Sequence, residues 1–151
     1  MPLTELSNEG MEITKESPLS KGRLFEIESQ MESYSIEQCP GFTSDRKEYG
    51  FFAREVDTNR TRGSVVGWCW MGSIHIHRLF VDESLRGIGI GTKLMDKVEE
   101  LAHIEKCTLI TTETLSLQKA LQFYLNKGYQ VAFHDKGYSL GMSIYYLRKK
   151  I

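Results

Sequence analysis

The segment with the clearest chemistry is a glycine-rich turn that joins a predicted strand to a predicted helix. Residues 82–92 read Asp-Glu-Ser-Leu-Arg-Gly-Ile-Gly-Ile-Gly-Thr, so glycine alternates with isoleucine from position 87 to position 91. The first N–H groups of a helix lack intrahelical partners, and together with the positive end of the helix dipole they favour an anion. Arg86 adds a fork of donors that matches phosphate oxygens, and Thr92 adds a hydroxyl. The turn therefore predicts a phosphate-binding site.

Two common phosphate-binding motifs do not fit this spacing. A dinucleotide fingerprint, G-x-G-x-x-G, would require glycine at the position of Thr92 or Leu94. A P-loop, G-x-x-x-x-G-K, would require its second glycine at Thr92. The pattern that remains is R-x-x-G-x-G, which Arg86, Gly89 and Gly91 match.

Apolar periodicity predicts the elements that position this turn, in the order β-α-β-β-β-α-β-α-β-β. A strand over residues 73–81 leads into the turn, and a helix from residue 89 to about residue 105 follows it. Met71-Gly72-Ser73 indicates a tight hairpin before that strand. The other predicted strands cover residues 11–15, 49–56, 64–71, 107–112, 129–134 and 143–148, and the other predicted helices cover residues 19–38 and 116–127.

Composition excludes several classes of protein. The net charge of −1 gives no reason to expect a nucleic-acid or anionic-membrane partner. The three cysteines form no C-x-x-C pair, so neither a zinc site nor a disulfide framework is predicted, and no metal is expected. The start of the chain does not resemble a signal peptide, and no apolar run approaches the roughly 20 residues that span a bilayer. We therefore expect one domain over residues 1–151, with a loose segment at residues 1–10, in the cytoplasm.

A second motif lies downstream, at residues 120–129, which read Ala-Leu-Gln-Phe-Tyr-Leu-Asn-Lys-Gly-Tyr. Together with the R-x-x-G-x-G turn, it resembles the GNAT superfamily of acyl-CoA-dependent N-acyltransferases. Those proteins carry [RQ]-x-x-G-x-[GA] after a strand and A-x-x-x-Y-x-x-x-G-[FY] further on. The ending, residues 141–149, looks like a branch of small stand-alone bacterial acetyltransferases. The resemblance extends from about Met11 to the end and implies a GNAT-like α/β (α+β) fold, with a mixed, mostly antiparallel sheet of about six to seven strands flanked by helices.

The resemblance also implies roles for particular residues toward acetyl-CoA. The backbone of Leu79, Phe80 and Val81 would pair with the pantetheine arm as an added strand, and an N–H near Leu79 would polarise the thioester carbonyl. Tyr124 would protonate the departing sulfur. Many members have asparagine where this chain has Leu117, so Ser116 or Gln118 would have to supply that polar contact. The pyrophosphate would be held by Arg86, Gly87, Ile88, Gly89, Ile90, Gly91 and Thr92.

An amine acceptor needs a base, because an alkyl amine with a pKa near 10.4 is only about one part in 2,500 free base at pH 7. Glu113 follows the strand predicted over residues 107–112, which makes it the first candidate. His77 and His75, on the strand before the turn, are the others. Each also fits an ordinary structural role: Glu113 as a solvated carboxylate, the histidines as half-buried sheet residues, and Tyr124 as part of the core.

These observations favour an N-acetyltransferase in which a primary amine attacks acetyl-CoA directly in a ternary complex. A non-catalytic CoA-binding module and a protein or peptide acetyltransferase are the alternatives. Pairing of the C-terminal strands with a second copy of the chain would give a homodimer.

Overall fold

The computed structural model describes the backbone of residues 5–6 and all of residues 10–151. Most of the loose segment predicted at residues 1–10 lies outside the described residues. The chain divides into two compact units, Met1–Ser44 and Asp45–Ile151, which are described in turn. The prediction of one domain over the whole chain stays a prediction.

The first unit contains a small strand pair and a long helix. Strands β1 (Glu5–Leu6) and β2 (Glu12–Ile13) pair antiparallel. Helix α1 (Lys21–Gln38) begins after Ser20, whose side chain accepts a hydrogen bond of 3.1 Å from the Arg23 N–H. Such a cap satisfies one of the free donors at a helix start. The helix predicted over residues 19–38 is thus confirmed, with its first turn two residues later.

The second unit is built on one six-stranded sheet whose spatial order is β3-β4-β5-β6-β8-β7. All neighbouring pairs are antiparallel except β5 and β6, which are parallel. This arrangement confirms the predicted mixed, mostly antiparallel sheet. The strands are β3 (Lys47–Arg54), β4 (Thr61–Trp70), β5 (Ser73–Val81), β6 (Leu109–Leu115), β7 (Gln130–Asp135) and β8 (Ile144–Lys150), and the helices are α2 (Ile90–Ile104) and α3 (Leu121–Asn126).

The core lies between one face of this sheet and helix α2. Helix residues Leu94, Met95 and Val98 are almost fully buried against strand residues of alternating position. Each such side chain contributes roughly 1.5–3 kcal/mol through burial of apolar area. The packing fixes the start of α2 beside the end of β5. The buried strand residues on this face include Val65, Ile74, Ile76, Ile110 and Leu147.

The meander of β3, β4 and β5 forms as predicted. Its second hairpin turns through Met71 and Gly72, which both have positive φ, 47° and 76°. A two-residue loop with both central residues in this region matches the twist of the flanking strands.

Two predicted elements differ from the structure. Strand β6 begins at Leu109 and runs to Leu115, so Glu113 lies inside the strand rather than after it. The helix predicted over residues 116–127 is a short 3-10 turn, Ser116–Gln118, followed by α3. The break has two local causes: the Gln118 side-chain oxygen accepts a hydrogen bond of 3.2 Å from the Leu115 N–H, and Lys119 adopts φ 53°.

Of the two C-terminal strands that the homodimer prediction involves, one forms an edge of the sheet. Strand β8 lies inside the sheet between β6 and β7, and β7 forms the edge. A second copy could therefore pair with β7 but not with β8. No helix among the described residues is long and apolar enough to cross a membrane. The homodimer and the cytoplasmic location stay predictions.

Candidate active site

A cleft opens in the middle of the sheet because β5 and β6 pair along only part of their length. Their parallel register runs from Ser73 and Leu109 to Ile76 and Thr112. Beyond that point β5 pairs only with β4, and β6 pairs only with β8. The two strands therefore present unpaired backbone edges to each other, and an unpaired edge can bind an extended chain as an added strand.

A β-bulge on β5 lies at the point where the strands separate. Val66 of β4 is opposite Arg78, but the next residue, Gly67, is opposite Ile76, so His77 is the extra residue. A Cβ atom at Gly67 would lie 1.8 Å from the carbonyl oxygen of His75, so only glycine permits this approach. Bulges bend a strand and redirect its side chains, and they are frequent beside active sites.

The cleft is a cavity of about 930 Å³ that brings together most of the predicted site residues. The predicted residues that do not line it are His75, Ile88, Ile90 and Ser116. The predicted residues that line it are His77, Leu79, Phe80, Val81, Arg86, Gly87, Gly89, Gly91, Thr92, Glu113, Gln118 and Tyr124.

One end of the cavity is the start of helix α2. Gly89 is the N-cap residue and has φ 91°. Because glycine has no side chain, it supplies no side-chain cap to the first turn. The first backbone bond into the helix is from the Lys93 N–H to the Gly89 carbonyl, 3.0 Å long. The N–H groups before Lys93 therefore have no intrahelical partner. No acidic side chain lies in this first turn, so the dipole of α2 is available to an external anion.

Arg86 extends this anion site. Its Nε donates a hydrogen bond of 3.0 Å to the carbonyl of Val81, the last residue of β5. This bond anchors the guanidinium and leaves its two terminal nitrogens as the groups that could bind a phosphate. Lys119 also lines the cavity.

A polar cluster that the sequence analysis missed holds the turn in place. The Arg62 Nε donates to an Asp82 carboxylate oxygen at 2.9 Å, and its Nη2 donates to the Ser84 hydroxyl at 2.7 Å. Arg62 also forms an ion pair with Glu55. The hydrogen bond from Arg62 is the main reason why the pKa of Asp82 lies below its usual value. No short sequence motif indicates that Arg62 pairs with the start of the turn.

Tyr124 lies at the back of the cavity, on the face of the sheet that packs against α2. It is 4% exposed, and its ring contacts Tyr129 edge to face with centroids 5.4 Å apart. Burial raises the pKa of Tyr124, and a hydrogen bond with Thr112 opposes the rise. The phenol is therefore protonated at neutral pH and can donate a proton. The core role and the acid role proposed for this residue are compatible, because the side chain is buried and lines the cavity.

The three candidate bases occupy different environments. His75 is half-buried and its Nδ1 lies 2.9 Å from the Thr111 hydroxyl. Burial is the main cause that lowers the pKa of His75. His77 and Glu113 are exposed and line the cavity on opposite strands. Geometry thus favours His77 and Glu113 over His75 as groups that reach a bound amine.

The polar residues near the atypical Leu117 already have partners within the chain. Leu117 is 63% exposed, so it is not a core residue. The Ser116 hydroxyl accepts a hydrogen bond of 3.0 Å from the Ser143 N–H. The Gln118 Oε1 accepts bonds of 3.2 Å from the Leu115 N–H and from the Thr114 hydroxyl. Gln118 lines the cavity, and its amide nitrogen is the group that could bind a ligand.

The site carries no metal-binding cluster. Groups of three or more His, Cys, Asp or Glu side chains able to hold a metal ion are absent from the described part of the chain. Four side chains with a fixed formal charge line the cavity: Arg78, Arg86 and Lys119 are cationic, and Glu113 is anionic. The excess of positive charge suits an anionic ligand.

Comparison with known proteins identifies relatives of this architecture. The family model described as "Acetyltransferase (GNAT) domain" matches residues 47–131, which is more than half of the chain. An acetyltransferase of Agrobacterium fabrum is 32% identical over 107 residues, which cover 71% of this chain and 77% of that protein.

Solved structures show the same fold. The structure of an acetyltransferase from Bacillus cereus superimposes with a TM-score of 0.80 at 22% identity, over 91% of this chain and 98% of that chain. The structure of a Bacillus anthracis protein in complex with acetyl coenzyme A superimposes with a TM-score of 0.61 at 19% identity, over 74% of this chain and 66% of that chain.

Proposed function

Because the chain belongs to the GNAT acetyltransferase family, we propose that it transfers the acetyl group of acetyl-CoA to a primary amine by direct attack in a ternary complex. The observation that carries this proposal is the cleft between β5 and β6. It joins an anion site, an unpaired strand edge and a buried tyrosine in one cavity.

The anion site and the strand edge divide the binding of acetyl-CoA between them. The free N–H groups of α2 and the guanidinium of Arg86 bind the pyrophosphate. The backbone of Leu79–Val81 on β5 pairs with the amide-containing pantetheine arm, since β6 has separated from it there. Backbone N–H groups on that edge stabilise negative charge that develops on the carbonyl oxygen during attack.

Two side chains complete the proton transfers. Glu113 or His77 takes a proton from the ammonium, and the amine nitrogen then bonds to the acetyl carbon. The carbon–sulfur bond breaks, and Tyr124 donates its proton to the departing sulfur. The nitrogen loses its second proton as the amide forms, and this proton restores the Tyr124 hydroxyl. Each such proton transfer typically contributes about 10²–10⁴-fold to the rate. Tyr124 suits the donor role because it is buried and protonated.

A titration and a turnover assay test the proposal together. We expect acetyl-CoA to bind in isothermal titration calorimetry, and we expect amines to cause release of free CoA thiol in an assay with amino acids, polyamines, aminoglycosides and peptides. Binding without thiol release for any amine would favour the non-catalytic CoA-binding module. Release for peptides alone would favour a protein or peptide acetyltransferase, and failure to bind would refute the assignment of the cleft.

A further inference from the structure

Two opposite charges face each other across the cleft. Arg78 lies on β5, where the register places it opposite Val66 of β4. Glu113 lies on β6, where the register places it opposite Tyr146 of β8. Both side chains are exposed and both line the cavity. They therefore belong to opposite walls of the same opening.

Contacts show that both side chains lie on the face of the sheet remote from α2. His75 and Thr111 mark this face on the two strands, because the His75 Nδ1 lies 2.9 Å from the Thr111 hydroxyl. Glu113 is two residues beyond Thr111 on β6, so its side chain points to the same side. Trp68 of β4 lies on this face too, because its ring contacts the His75 ring with centroids 4.6 Å apart and planes tilted by 34°.

The pairing of β5 with β4 shows that the Arg78 side chain also lies on this face. Val66 is two residues before Trp68 on that strand, so the two side chains share a face. Residues directly opposite in an antiparallel pair also share a face, which places Arg78 with Val66. By contrast, Thr112 is buried on the α2 face, where its hydroxyl donates a hydrogen bond of 3.0 Å to the Ile76 carbonyl, and Tyr124 belongs to the core on that face. The acid that serves the thioester and the Arg78–Glu113 pair thus reach the cleft from opposite faces.

Neither charged group forms an ion pair within the described residues. The Arg78 Nη1 donates a hydrogen bond of 2.8 Å to the carbonyl of its neighbour His77, which fixes the guanidinium without neutralising it. Over residues 10–151, no ion pair involves either Arg78 or Glu113. An arginine and a carboxylate that line one cavity without pairing can each bind a complementary charge of a ligand.

Arg78 is too far along β5 to serve the pyrophosphate. It precedes Val81 by three residues, which is about 10 Å of strand, and the turn that binds phosphate begins only after Val81. Arg78 is therefore near the acetyl end of the cleft, beside the bulge at His77.

We propose that the acceptor is a small aminocarboxylate, whose carboxylate pairs with Arg78 while its ammonium approaches Glu113. This inference rests on the proposed acetyltransferase function. The guanidinium forms two parallel hydrogen bonds to a carboxylate, which fixes the direction of the acceptor as well as its charge. The carboxylate is bound unchanged. The ammonium loses one proton to Glu113 before attack, and the nitrogen loses its second proton as the amide forms, which restores the hydroxyl of Tyr124.

Matched substrates test the inference. The twenty amino acids and their α-carboxamides are compared by kcat/KM in the thiol-release assay at pH 7. We expect the wild-type enzyme to prefer at least one amino acid over its carboxamide, although the less basic amine of a carboxamide is intrinsically more available. In Arg78→Met this preference should fall roughly 10- to 100-fold, as loss of a charged hydrogen-bonding pair predicts.

Arg148→Met is the matched control, because Arg148 is on the same face of the sheet, opposite Thr111, but does not line the cavity. A loss of preference in Arg78→Met alone supports the inference. Equal effects in both variants, a wild-type preference for carboxamides, or an enzyme that acetylates neither class would overturn it. If Arg78→Met weakens acetyl-CoA binding more than about tenfold in calorimetry but leaves the preference for the amino acid unchanged, Arg78 binds CoA and not the acceptor. No binding of acetyl-CoA by the wild type would remove the proposed function, and the inference with it.

Discussion

Replacing Gly89 by aspartate tests the anion site at the start of α2. The new carboxylate would stand at the N-cap, where it can accept hydrogen bonds from the N–H groups that we assign to the pyrophosphate. Nothing lies within 4 Å of the added Cβ, so the change introduces charge without a clash. Two like charges about 4 Å apart repel by about 4 kcal/mol near a protein surface, and by about 1 kcal/mol in water. These two energies correspond to about 5-fold and about 900-fold, so we expect the Kd for acetyl-CoA to rise by a factor within this range in calorimetry.

Two controls separate charge from backbone strain. Gly89→Asn has the same shape without the charge and tolerates positive φ, so its Kd should rise less than about tenfold. Gly72→Asp imposes the same kind of strain in the distant β4–β5 hairpin, where φ is 76° and nothing lies within 4 Å. It should leave binding unchanged. If Gly89→Asp binds acetyl-CoA within about threefold of Gly89→Asn, the helix start does not bind the phosphates.

Three further changes probe other parts of the second unit. Tyr124→Phe should lower kcat about 10- to 100-fold while the Kd for acetyl-CoA stays within about threefold; an unchanged kcat in steady-state assays removes the acid role. Tyr129→Phe should leave the free energy of unfolding in urea unchanged or raise it by up to about 2 kcal/mol, because the Tyr129 hydroxyl is buried with no partner among the described residues; a loss above about 1 kcal/mol contradicts this. Arg62→Met should weaken acetyl-CoA binding several-fold, since it releases the turn at Asp82. The folded-state pKa of Asp82 is lowered, so its contribution is present above about pH 4 and is lost as the pH falls through the lowered pKa. The difference between the urea midpoints of wild type and Arg62→Met should therefore shrink below about pH 4, and a constant difference from pH 7 to pH 3 speaks against this linkage.

The phosphate-binding turn could be predicted from sequence because its determinants are local. Glycine spacing, the preceding strand and the following helix all lie within about twenty residues, and Arg86 is part of the same segment. The same holds for the hairpin at Met71 and Gly72. The GNAT resemblance, which depends on two such local motifs, is confirmed by the family match over residues 47–131.

The cleft depends on pairing between strands that are distant in the sequence. The periodicity of apolar residues within one strand does not indicate such pairing. The apolar pattern predicts that this strand ends at residue 112. In the structure, Glu113 and Thr114 continue β6 because β8 supplies hydrogen bonds on its far side. The break before α3 was missed because Leu117 fits a helical period while its side chain is in solvent. One sequence signal for the bulge was present: Gly67, an isolated glycine inside a strand, is typical of a bulge or of close backbone approach.

The approach of the His75 carbonyl to Gly67 also bears on how this protein can vary. Every missense change reachable from a glycine codon by one base substitution adds a Cβ atom, and at position 67 that atom would lie 1.8 Å from the carbonyl oxygen. The residue does not line the cavity and carries no functional group, but the bulge at His77, and with it the direction in which β5 leaves β6, requires a hydrogen atom in place of a side chain. In a saturation mutagenesis screen, position 67 should therefore tolerate substitution as poorly as a catalytic residue.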